Sequence, residues 1–118
     1  GRVFYLSEEG TNMAWIFLIL AGGLEIFWAT FLKLSEGFSK LGFSALTVLG
    51  MLASFFFLSQ ATKTLPLGTA YAIWTGIGAL GALIVGIAIF HEPLSGLRLF
   101  FAALLLVGII GLKFTSGH

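Results

Sequence analysis

The chain has 118 residues, 58% of them apolar and only 9% charged, with a mean hydropathy of +1.07. A soluble domain carries about 25% charged residues, so this surface cannot face water, and the length allows one domain at most. It reads as an integral membrane protein. A net charge of +1 offers no patch for nucleic acid. With no cysteine, disulfides, thiol catalysis and Cys-ligated metals are excluded. His91 and His118 cannot build a metal site between them, and no cofactor is implied.

Residues 1–12 hold three of the eleven charges and form the one markedly polar stretch. They lack the basic start, apolar run and cleavage site of a signal peptide. Met13 opens a hydrophobic helix directly. Residues 1–12 are therefore expected to be an N-terminal extension or an expression remnant, the alternative being a juxtamembrane arm. Residues 13–118 are expected to form the transmembrane domain.

Charged residues divide that domain into four apolar segments, at about 14–32, 41–61, 69–90 and 97–114. Each approaches the ~20 residues that cross a bilayer as a helix. Barrel strands are excluded by length and by the absence of period-2 alternation. Leu65-Pro66-Leu67-Gly68 reads as a turn, because Pro66 lacks an amide donor and biases Leu65 away from helix. Short connections predict that neighbouring helices pack as antiparallel hairpins. Lys63 and Lys113 then fall on one side, and Lys33, Lys40 and Arg98 on the other. Two against three is almost no orientation bias under the positive-inside rule. A chain that inserts both ways has such a tie, and so does chance at low counts.

Glu25 is the informative residue of the first segment. Eleven residues past Ala14, it sits ~17 Å into a helix that crosses ~30 Å of hydrocarbon. An acid there costs about 2.5–3.5 kcal/mol on insertion scales, which makes it a functional hypothesis by default. No other acid lies inside a span, and no span interior holds a Lys or Arg to pair with it, Arg98 and Lys113 standing at the two ends of the fourth. Removed from water and unpaired, a carboxylate favours its neutral form, so it can hold a proton or a cation in turn. The alternative is a permanently protonated Glu with a structural hydrogen bond. Gly22 and Ala21 on its face leave room beside it, and Trp28 walls that room or simply packs.

The second segment carries Gly50, Ser54, Phe57 and Ala61 on one face. Ser54 either bonds back to its own helix or orients Glu25 or a substrate. The third carries Tyr71, Trp74, Thr75, Gly78 and Ala82 in a stripe. Tyr71 and Trp74 suit an aromatic belt or a wall that attracts cations. Gly76, Gly78 and Gly81 suit a kink or close packing. The fourth carries Gly108 and Gly111 on a face that reads as a helix–helix contact. About 100 residues in four helices leave little room for an enclosed path. A homodimer that brings two Glu25 carboxylates together is the natural solution.

AGGLEIFWA in the first segment, SQATKTLPLGTAYAIWTGIGALG across the second turn, and HEPLSGLRLFFAALLLVGIIGLK in the fourth closely resemble the small multidrug resistance family. Trp28, Ser54 and the LGTAYAIWTGIGA block resemble its guanidinium-exporter subtype. The polyaromatic-cation exporters lack that Trp and usually carry IAYAIWSG. The resemblance implies an all-α, antiparallel, dual-topology homodimer in a bacterial inner membrane. It would exchange protons for small guanidinyl cations by alternating access. By position, Glu25 would be the shared proton and substrate site, with Gly22, Trp28, Ser54, Tyr71 and Trp74 lining the pocket. Gly76 and Gly78 would mark the third-helix kink, and Gly108 and Gly111 the dimer contact. Residues 1–12 have no counterpart in the family pattern. The competing readings are a polyspecific exporter of quaternary or aromatic cations, a small channel, and a structural or regulatory membrane subunit. An intramembrane enzyme has no nucleophile–base pair or ligand set to work with.

Overall fold

A computed structural model describes residues 8–115, and residues 1–7 and 116–118 lie outside the description. The described residues form four helices: α1 (Glu8–Leu34), α2 (Leu41–Ala61), α3 (Leu67–Ala88) and α4 (Gly96–Thr115). All four contain a stretch long and apolar enough to cross a membrane, that of α1 running Asn12–Leu34. The chain is thus an all-helical, multi-pass membrane protein.

The expected boundaries shift where backbone hydrogen bonding, rather than hydropathy, sets the ends. Helix α1 is already formed at Glu8, the first described residue, so residue 13 is not a break in secondary structure; the part of residues 1–12 that precedes Glu8 lies outside the described residues. Leu67 and Gly68 are helical, not part of a turn. Pro66 is the N-cap (φ −58°), and its carbonyl accepts the Ala70 amide at 2.9 Å. A missing proline N–H costs nothing there, because the first helical donors have no partner anyway. The same helix stops at Ala88, two residues early. His91 is left-handed (φ 57°), and the Glu92 amide turns back onto the Gly86 carbonyl at 3.0 Å.

The first connection is held by Ser35, whose Oγ donates to the Leu32 carbonyl (2.7 Å) and accepts from the Phe38 amide (3.1 Å). Glu36, Gly37 and Phe38 pass through left-handed backbone at φ 49°, 71° and 66°.

The helices do not pack as a chain of hairpins. Helix α1 lies between α2 and α3 and packs along both, while α2 and α3 touch only briefly; α4 packs on α3 alone. The small buried core of Ala14, Leu18, Ala21, Ala61, Leu65, Ala70, Ile73 and Trp74 gathers where α1, α2 and α3 meet. No residue of α4 is buried.

Candidate functional site

The site is built on two parallel helices in matched register. Ala21 and Glu25 are one turn apart on α1, and Trp74 and Gly78 are one turn apart on α3. At the lower level Ser54 of α2 joins them: its Oγ–H donates to the Ala21 carbonyl at 2.6 Å and its oxygen accepts the Trp74 Nε1–H at 3.0 Å. All three helices meet in this node. Ser54 is fully buried. It therefore bonds neither back to its own helix nor to Glu25. The Ala21 carbonyl is also the one to which the Glu25 amide donates in an α-helix, so the node grips α1 one turn below the acid.

At the upper level the Glu25 carboxylate rests against Gly78, and a Cβ at residue 78 would overlap it. Glu25 is partly exposed and makes no hydrogen bond or ion pair with any described residue. Three residues on, Trp28 stands against Gly50, where a Cβ would come within 3.0 Å of the Trp28 Cβ. The indole Nε1–H of Trp28 is buried and has no acceptor among the described residues. Such an orphaned donor costs about 1–3 kcal/mol.

Two expected pocket residues sit elsewhere. Gly22 does not open space beside Glu25, because Ile77 fills it, with Cγ2 only 2.6 Å from where a Cβ would be. Tyr71 is 55% exposed and lies tilted against the Trp74 ring, 5.5 Å between centroids, rather than reaching the carboxylate. Helix α3 runs uninterrupted through Gly76 and Gly78. Gly76 receives Ile109 of α4 (2.7 Å to a built Cβ). Gly108 and Gly111 have nothing within 4 Å of an added Cβ and lie on an exposed face.

The sequence reading missed Ile26, which packs on Gly81 so closely that a Cβ there would overlap it. The signal was present: Gly78 and Gly81 share a face, opposite the Glu25–Ile26 pair. It also missed a polar cluster at the far end of α1 and α3. There Arg98 pairs with Glu92 at 3.6 Å and donates to the Pro93 carbonyl, and Lys33 lies 5.2 Å over the Phe90 ring. A cavity of about 150 Å³ sits among them. Among the described residues, no three His, Asp or Glu side chains gather to hold a metal.

Fold and site together define a small multi-pass membrane protein organised around one mid-span carboxylate. Residues 13–105 match the family profile described as Small Multidrug Resistance protein. The Guanidinium exporter of Yersinia pseudotuberculosis is 54% identical over 104 residues, 88% of this chain and 100% of the relative. The Guanidinium exporters of Escherichia coli K12 and Salmonella typhimurium are 51% and 53% identical over the same length, 88% of this chain and 99% of each relative. The chain belongs to the small multidrug resistance family. It is a multi-pass transporter of a bacterial inner membrane.

Proposed function

We propose that the chain is a proton-coupled antiporter that exports guanidinium and small substituted guanidinyl cations. It works by alternating access, as an antiparallel, dual-topology homodimer, and performs no enzymatic step. The observation that carries this reading is Glu25, a mid-span carboxylate with no partner among the described residues, with the buried and unpaired Trp28 N–H three residues along the same helix. Both need a ligand. The Guanidinium exporter name borne by relatives over 50% identical supports the substrate class.

Guanidinium is planar and presents its donors as a fork that pairs bidentately with a carboxylate. A proton and a cation cannot occupy the same carboxylate oxygens together. That exclusion couples the two fluxes, since each face of the membrane must exchange one for the other. Trp28 donates to the ionised carboxylate once Glu25 leaves Gly78, the Trp74 ring attracts the cation's face, and Tyr71 backs the Trp74 ring from outside. In this reading Gly22, through its contact with Ile77, acts as a packing residue of the pocket wall. Gly76 and Gly78 give α3 its freedom to bend between the two access states. The open faces of Gly108 and Gly111 meet the partner's α4, where small residues allow close helix approach.

The test is purified protein in liposomes under an imposed pH gradient. Guanidinium should move against the proton flux, its apparent affinity weakening as the solution is acidified, and Glu25→Gln should abolish coupled movement while leaving the dimer intact. Guanidinium uptake of wild-type rate in Glu25→Gln would overturn the mechanism. Transport of a large polyaromatic cation as fast as guanidinium would overturn the substrate class and favour the polyspecific reading.

A further inference from the structure

A second and larger cavity among the described residues lies away from Glu25, between α1, α3 and α4. It holds about 450 Å³ and is lined by Trp15, Leu18 and Ile19 of α1, Ile73 and Ile77 of α3, and Ile109, Ile110, Lys113 and Phe114 of α4. Because α4 packs on α3 alone, this recess is the gap between α4 and α1. Every lining side chain is apolar except one. Lys113, in the last turn of α4, stands over the mouth with its Nζ 5.4 Å from the Trp15 ring and 5.8 Å from that of Phe114.

We infer that this cavity binds a phospholipid of the surrounding membrane that carries net negative charge, with an acyl chain inside and the phosphate on Lys113. The chemistry is complementary end to end. Among the described lining residues the recess offers hydrocarbon and one basic side chain, and an anionic lipid offers a hydrocarbon chain and an anionic head. Trp15 and Lys113 near their helix ends occupy the headgroup level, where Trp and Lys anchor membrane proteins. Basic pockets between membrane helices hold acidic headgroups in this way. The volume is that of a small-molecule site. It admits only about one turn of a helix 10–12 Å across, so a helix of a second copy does not fill it. Ile77 of the lining also closes on Gly22, about one turn below Glu25. A bound chain thus braces α4 against the wall of the transport site.

Quenching of tryptophan fluorescence by lipids with brominated acyl chains tests the assignment, and it needs no transport activity. The full chain is reconstituted in zwitterionic bilayers doped with either brominated anionic or brominated zwitterionic lipid, and the Trp15 signal is taken as the difference between wild type and Trp15→Phe. The anionic lipid should reach half-maximal quenching of Trp15 at about fivefold lower mole fraction, the ratio one basic side chain supports. Lys113→Gln should erase that preference, and Ile110→Phe, which fills the cavity, should weaken quenching by both lipids. Equal half-saturation for the two lipids, or a preference that survives Lys113→Gln, refutes the anionic site. Absence of quenching by either lipid means that protein covers the recess. Quenching unchanged in Ile110→Phe means that it comes from lipid outside the cavity. Either result overturns the inference.

Discussion

Ser54→Ala separates a structural node from a ligand of the acid. Ser54 makes two interhelical hydrogen bonds, at 2.6 Å to Ala21 and 3.0 Å from Trp74, in a fully buried position. Interhelical bonds in membrane proteins average ~0.6 kcal/mol and reach ~1.7. The indole N–H stranded by the change also loses its acceptor. The expected loss of stability is therefore about 1–3 kcal/mol. Trp74→Phe removes one of the two bonds, so a double-mutant cycle with Ser54→Ala should return a coupling of about 0.6–1.7 kcal/mol. The assay is equilibrium unfolding in mixed micelles of rising dodecyl sulfate fraction, followed by helical circular dichroism. Zero coupling would refute the node. So would a Ser54→Ala protein of unchanged stability whose only defect is an altered pH dependence of guanidinium binding, since Ser54 would then be acting on Glu25.

Gly78→Ala places a Cβ where the Glu25 carboxylate lies, and should slow guanidinium–proton exchange at least tenfold; the shorter side chain of Glu25→Asp should restore part of the rate in the double variant, measured in the same liposomes. Gly108→Ala meets nothing within 4 Å in its own subunit, so subunit helicity should be unchanged and any fall in crosslinked dimer reads the subunit interface alone. Cysteines placed near both ends of the chain should label from both sides of the membrane in one cell population, and one-sided labelling would refute dual topology.

Much of this was legible because membrane insertion writes itself in hydropathy. The four spans and the isolation of Glu25 need only composition and position. Partner choice is another matter. Ser54 bonds across to Ala21 because of which carbonyl faces it, and a main-chain acceptor leaves no mark in the sequence. The same holds for the order of packing: α1 lies between α2 and α3, and chain order suggested otherwise. Gly22 looked like empty space because a face lists only its own helix, whereas Ile77 arrives from another. At Pro66 the missing donor suggested a turn that included Leu67 and Gly68, although a proline is equally at home as the residue on which a helix starts.

The contacts that join α1 to α3 differ in what it costs to part them. At the level of Ala21 and Trp74 they run through Ser54, and separation there strands a buried indole donor and a hydroxyl. One turn further, Glu25 meets the bare α-carbon of Gly78, and beyond it Ile26 meets Gly81. Those are van der Waals seats, and leaving them exposes no unsatisfied backbone group, since the α3 ladder is intact at both glycines. Relative motion of the two helices is therefore least costly at the carboxylate and most costly at the node below it. Under the proposed mechanism, a cation that draws Glu25 off Gly78 would release the seat that holds α3 at that level, and the Ser54 node would stay closed as the pivot. Occupancy of the acid and the angle between the helices would in this way be a single variable, as the proposed exchange requires.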